Sequence, residues 1–228
     1  MNRLLKLRNT KFACHHLHLD KSKTITPELL DKSLTHMKEK WILMREIKEK
    51  YTNASLEERM LSTTHHLVSQ GCNNMRTFID VDHIVGLEPL KVANKVKQYW
   101  KKLGINLQVG TQLLEGLDTQ ENINLFNESL KYVDFIGCLP SRDKDPEKHL
   151  DIVFKKAKQL NMDVEAHLDQ CNIPSERETE MFCDWVEKYQ HQGKSRSVHS
   201  VSLACQPLDY QKKMAKRLRE LDVGIIVC

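Results

Sequence analysis

The feature that most constrains this chain is a repeated rhythm. Seven short apolar runs of strand length are separated by longer segments of helical periodicity. The first run, Phe12-Ala13-Cys14, leads into Cys14-His15-His16-Leu17-His18. Further strands read at residues 75–81, 105–111, 133–139, 162–167, 195–200 and 223–228. Helical patterns lie between them at about 27–50, 55–70, 87–102, 120–130, 146–160, 175–189 and 208–221. Pro27 and Pro146 suit the first turn of a helix, and Gly71 and Gly104 suit a stop. Ser55-Leu56-Glu57-Glu58 reads as a capping box, with Ser55 capping and Glu58 reaching back.

Strict strand–helix alternation means parallel strands joined by right-handed crossovers. Seven such units predict an α/β fold: a TIM (β/α)8 barrel, incomplete, with about seven βα units and strand eight absent. The expected organisation is one barrel domain over residues 1–228, truncated at the C-terminus. A doubly wound open sheet is the alternative, but no Gly-x-Gly-x-x-Gly follows the first strand, so its nucleotide-binding version has no support.

Composition narrows the functional classes. With 40% hydrophobic and 29% charged residues the chain reads as an ordinary globular protein. Its +4 charge comes from 35 basic and 31 acidic residues that are well mixed, which argues against a nucleic-acid surface. No apolar run approaches the ~20 residues that span a bilayer, and the N-terminus lacks the core of a signal peptide. The seven cysteines include no Cys-x-x-Cys pair and read as free thiols. The expectation is a cytoplasmic protein whose partner is a small molecule, with neither nucleic acid nor membrane, and with a homo-oligomer left open.

In a parallel barrel, functional side chains sit at the C-terminal strand ends. Strand one ends in His16-x-His18, and residues two apart on a strand face the same way, so two imidazoles can address one cation while His15 points away. Strand two ends in Asp80 and Asp82, strand five in His167 and strand six in His199. Histidines on three strand ends of one barrel would converge on one mouth, a pattern that favours metal binding over isolated structural histidines. His36, His65, His66, His149 and His191 fall on helices or their ends and read as surface residues; His83 stays ambiguous.

The order of these motifs resembles the amidohydrolase superfamily, and within it the cytosine deaminase-like branch. The carrying segments are His16-Leu17-His18-Leu19-Asp20-Lys21, residues 76–81, residues 133–140 and His167-Leu168-Asp169-Gln170. The resemblance implies one divalent metal ion, zinc or iron, held by His16, His18 and His167, with a fourth ligand, an Asp, from strand eight. It implies His199 as the catalytic group near the reacting water, and Gln170 and Asp80 as substrate-binding residues. The implied chemistry is hydrolysis of a non-peptide carbon–nitrogen bond in a small nitrogen heterocycle or cyclic amide; the alternative is a non-catalytic remnant of the barrel. Two positions depart from the cytosine deaminase pattern. Gln170 stands where that branch has a proton-shuttling Glu, and Leu114 where it has a substrate-reading Gln. Both argue against cytosine itself. Strand four ends Ile136-Gly137-Cys138-Leu139-Pro140 without Lys or Glu, which disfavours a two-metal site.

Overall fold

The computed structural model describes residues 11–227. Seven parallel strands are hydrogen-bonded in chain order: β1 (Phe12–Leu17), β2 (Cys72–Asp80), β3 (Asn106–Gln112), β4 (Phe135–Cys138), β5 (Asp163–Leu168), β6 (Ser195–His199) and β7 (Gly224–Ile226). β1 and β6 are five strand spacings apart, about 24 Å in a flat sheet. The rings of His16 on β1 and His199 on β6 are nevertheless centred 5.2 Å apart. The sheet therefore curls into a nearly closed barrel with one unsealed seam, between β1 and β7.

The helices follow the predicted rhythm with two corrections. The expected helix over 27–50 is broken into 3-10 turn Pro27–Leu29, α1 (Leu30–Ser33) and α2 (Met37–Lys48). The hydroxyls of Ser33 and Thr35 donate to the carbonyls of Leu30 and Lys32, at 2.6 and 3.0 Å, offering the backbone a local alternative to a continuing helix. The next helix, α3 (Asn53–Ser69), is capped by Thr52 instead of Ser55. Thr52 Oγ1 accepts from the Ser55 amide and Ser55 Oγ accepts from the Thr52 amide, a reciprocal box three residues earlier than predicted. The remaining helices are α4 (Glu88–Lys102), α5 (Gln120–Ser129), α6 (Pro146–Leu160), α7 (Glu178–Tyr189) and α8 (Leu208–Glu220). None among the described residues is long and apolar enough to cross a membrane.

The main core lies between strands and helices and includes Met60, Ile79, Leu90, Val96, Val109, Phe126, Ile136, Phe154, Val164, Phe182 and Met214. Inside the barrel, side-chain alternation builds three layers. β2 contributes Arg76, Phe78 and Asp80 in succession, and β5 contributes Asp163, Glu165 and His167. The lowest layer is ionic: Arg76 Nε lies 3.0 Å from Glu165 Oε1, and the Arg196 guanidinium 2.8 Å from Asp163 Oδ2. The middle layer is apolar, made of Phe78, Phe135 and Val198. The top layer is the histidine cluster. Cys14, Cys72, Cys138, Cys183 and Cys205 are free thiols.

Candidate metal centre and cavity

β1 reaches the top layer through a bulge. Between Cys14 and Leu17 it advances three residues while β2 advances two, from Met75 to Thr77. Thr77 secures the strand end, its hydroxyl donating to the Leu17 carbonyl and accepting from the Leu19 amide. His16 and His18 then face one interior point, and His15 is exposed. His18 Nε2 lies 3.0 Å from His16 Nε2 and 3.3 Å from His167 Nε2. His199 joins them by a different route. Arg196 and Val198 already face the interior, so strict alternation would turn His199 away. Left-handed backbone at His199 (φ +77°) and Ser200 (φ +51°) turns it back. The Ser200 amide holds this turn by donating to the Leu168 carbonyl at 3.1 Å, and its hydroxyl meets that of Thr179 at 2.9 Å. His16, His167 and His199 each place one ring nitrogen within 4.8 Å of the others.

Phe78 is the floor of this cluster. Its ring is centred 4.6 Å from that of His167 and 5.2 Å from that of His16, and it stacks on His18 at 5.4 Å. Gly137 makes room for it: a Cβ there would overlap the Thr111 carbonyl oxygen and the Phe78 ring. Burial is the main cause that lowers the pKa of every histidine in the group, to about 4 for His16 and well below the usual value for His18 and His167. His199 is shifted down by burial as well. Lys21 adds a positive charge beside the first three.

Those facts test the fit to a metal. Three neutral imidazoles aim ring nitrogens at one another, and His18 Nε2 is within hydrogen-bond distance of two acceptor-capable partners. A single proton on His18 Nε2 serves one of them, whereas a shared cation serves all three. The edges of 3.0 and 3.3 Å also approximate the ~3.3 Å nitrogen spacing of a tetrahedron with metal–nitrogen bonds of about 2.0–2.1 Å. The donor set fits a divalent ion of the zinc or iron type.

Above the histidines opens a cavity of about 350 Å³ lined by Lys21, Trp41, Gln112, Leu114 and Gln170 among others. His16, His18, His167, His199 and Gln170, all picked out from sequence, line it together. Asp80 does not. It is fully buried behind Lys21, whose Nζ approaches Asp80 Oδ1 to 2.6 Å, and Lys48 Nζ lies 3.2 Å from its other oxygen. Its two oxygens face the two lysines and not the cavity. Lys48, also fully buried, lies 2.5 Å from Asp82 Oδ2 and 3.7 Å from Glu115. Asp20 completes this layer; its Oδ2 accepts from the Asp80 amide at 3.1 Å, and burial pushes its pKa up to about 6.

Sequence reasoning missed Lys40, Trp41 and Met44, which α2 sets over the mouth, and Gln112 at the end of β3. Trp41 is braced by Arg142, whose guanidinium stacks 4.5 Å over its ring. The spacing Trp41-x-x-Met44-x-x-x-Lys48 puts all three on one helical stripe, a signal that was present. Two histidines read as surface residues are buried. His149 Nδ1 pairs with Asp143 Oδ2 at 2.7 Å, and His191 is held by Ser195 Oγ and the Met162 carbonyl. Asp143 and Met162 lie outside helices and strands and Ser195 opens β6, and hydrophobic periodicity registers none of these pairings.

Comparison with known proteins places this arrangement. No family model matches the chain. It is 30% identical over 218 residues to an uncharacterized protein of Haemophilus influenzae, covering 93% of this chain and 79% of that one. It is 23% identical over 224 residues to the N-isopropylammelide isopropyl amidohydrolase of a Pseudomonas species, covering 95% of this chain and 55% of that one. The 5-methylcytosine deaminase of Klebsiella pneumoniae liganded with 5-fluorocytosine superposes with a TM-score of 0.87 at 22% identity, over 95% of this chain and 53% of that one. The N-isopropylammelide isopropylaminohydrolase of Burkholderia multivorans superposes with a TM-score of 0.79 at 19% identity, over 94% and 55%. The chain thus spans about half the length of these named relatives. The fold is that of the deaminase and amidohydrolase barrels on which it superposes. The chain belongs to one family with the Haemophilus influenzae protein.

Proposed function

We propose that this protein is a metal-dependent hydrolase that cleaves a non-peptide carbon–nitrogen bond in a small nitrogen heterocycle or cyclic amide. The observation that carries the reading is the convergence of His16, His18, His167 and His199 at the base of one cavity. The names of the relatives, amidohydrolases and deaminases, support the same class of bond.

His16, His18 and His167 are the residues assigned to hold one divalent ion. When bound, such an ion supplies acidification of a water molecule to near neutral pH. The chain's own groups do the rest. His199, kept neutral by burial, is free to take a proton from the water side and return it to the leaving nitrogen. Gln170 lines the wall where a titratable carboxyl would shuttle protons; an amide hydrogen-bonds but does not titrate, so it holds substrate and leaves proton transfer to His199. Lys21, fixed by Asp80, presents a cation to an electron-rich substrate atom. Trp41 and Met44 narrow the mouth and exclude water.

The competing reading, a non-catalytic barrel, draws on the amide at Gln170. Ammonia or amine release decides between them. Zinc- or iron-loaded protein is assayed against pterins, triazines, pyrimidinones and cyclic ureas. Turnover of at least one, abolished by His199→Ala, supports the hydrolase; none across the panel supports the non-catalytic barrel.

A further inference from the structure

The two ends of α2 are held unequally over the cavity. From Leu43 onward the helix is anchored. Leu43 is buried, and Lys48 is shut off from solvent between Asp80 and Asp82, at 3.2 and 2.5 Å. Towards its start the grip loosens. Residues 34–36 in the break before α2 are exposed, as are Glu39 and Lys40, and His36 makes no side-chain cap. Trp41 stands between the two regimes, half-buried and lining the cavity. Arg142 holds it there, with the guanidinium 4.5 Å over the indole ring. Arg142 lies outside the cavity lining and stands on a rigid base. Its Nε donates to the Leu114 carbonyl at 2.6 Å, which ties it to the loop after β3. The next residue, Asp143, accepts from the Leu117 amide at 2.7 and 2.9 Å and pairs with buried His149 at 2.7 Å. Gly116 lets that carboxylate close in, since a Cβ there would overlap Asp143 Oδ1. The loops after β3 and β4 thus form one clamped unit, and Arg142 reaches from it to α2.

We infer that Arg142 is a positioning residue that latches α2. Stacked on Trp41, it holds the helix closed over the cavity; when the stack parts, the start of α2 lifts about its Lys48 end and the mouth opens. This rests on the cavity being the substrate site, as proposed above. A guanidinium suits the task because its flat face stacks on an indole while its Nε stays bonded to a carbonyl, whereas a lysine ammonium is a point charge with no such face. One cation–π contact of typical strength favours the closed arrangement by roughly 2–30-fold. That is firm enough to exclude water and weak enough to part in every binding cycle.

Fluorine NMR of the full zinc-loaded chain, grown with 5-fluorotryptophan, tests this. The chain has three tryptophans, Trp41, Trp100 and Trp185, and Trp41→Phe assigns the first resonance. A soluble gadolinium chelate relaxes each resonance according to its exposure. In Arg142→Met the Trp41 enhancement should rise by at least about twofold, the low end of a lost cation–π contact. Trp100, buried and bonded to Thr64, should stay as in the wild type. Arg142→Lys should give a smaller rise in the same direction. Trp41 unchanged in Arg142→Met overturns the inference. Where Arg142→Met loosens Trp100 as well, Arg142→Lys decides: Trp41 rising alone supports the latch, and Trp41 unchanged overturns it. For any compound turned over, Arg142→Met should raise KM more than it lowers kcat, and that effect should vanish in a Trp41→Leu background. An undiminished effect there would place the role of Arg142 at Leu114 and overturn the latch. A Trp41 response in a chain that hydrolyses nothing would sink the proposed hydrolase and leave this inference standing. Turnover with Trp41 insensitive to Arg142→Met would do the reverse.

Discussion

Lys21 Nζ lies 2.6 Å from Oδ1 of Asp80, so the cation on the cavity wall is held by a carboxylate that never reaches the cavity. Asp80 also faces Lys48, and both it and Lys48 are shut off from solvent. Removing one partner of a buried pair leaves an uncompensated charge, a loss of about 3–5 kcal/mol. Asp80→Ala should approach that range in urea unfolding. Lys21→Met, which removes a partly exposed partner and leaves Asp80 with Lys48, should cost clearly less. Equal losses would show that the two lysines are not shared through Asp80.

Metal stoichiometry sorts the four histidines. His16→Ala, His18→Ala and His167→Ala should each lower zinc or iron retained after dialysis by at least about tenfold, the scale of losing even a supporting group at a metal site. His199→Ala should retain metal near the wild-type level and lower turnover by roughly 10²–10⁴-fold, as for a lost general acid–base group. The geometry makes this a sharp test, because His199 stands as near to His16 and His167 as they do to each other. Loss of metal in His199→Ala would move it into the ligand set.

Much of this was legible in sequence because it is local. His16-x-His18 carries its own geometry, and each strand-end histidine is marked by the run before it. What escaped was long-range. Lys48 reads as one more solvated helix charge until α2 is laid against β2, where Asp80 and Asp82 meet it. Asp80 reads as a cavity residue for the same reason. The break between α1 and α2 escaped because hydroxyl-to-carbonyl bonds at Ser33 and Thr35 do not alter hydrophobic periodicity. His199 was picked out only by its strand end; the left-handed backbone that turns it inward has no glycine to announce it.

Gly137 tests the floor. A Cβ there would meet backbone on one side and the Phe78 ring on the other, and only the ring can yield. Overpacking of this kind typically costs 1–3 kcal/mol or more. Gly137→Ala should lower unfolding stability by at least about 2 kcal/mol and weaken metal retention together, since Phe78 supports the rings of His16, His18 and His167. A stability loss with full metal retention would mean that the histidines hold their places without Phe78.

The last prediction concerns the cap that holds the Gln170 loop. Asp169 Oδ1 accepts from the Glu178 amide and Glu178 Oε2 accepts from the Asp169 amide, both at 2.8 Å, a reciprocal pair closing the start of α7. Burial, reinforced by the charges of Asp169 and Glu176, pushes the Glu178 pKa up to about 7 from an ordinary 4.5. A raised carboxyl pKa means the folded state keeps its proton where the unfolded chain has already released it. Stability therefore falls as pH rises from about 4.5 to about 7, and levels off above that. Gln at 178 keeps the acceptor for the Asp169 amide and cannot ionise. Glu178→Gln should match the wild type near pH 4.5 and exceed it at pH 8 by about 1–3 kcal/mol, the shift at ~1.4 kcal/mol per pH unit discounted for partial solvent access. Guanidinium unfolding at the two pH values reads the difference directly. A constant offset between the proteins would mean that Glu178 titrates normally in the folded state.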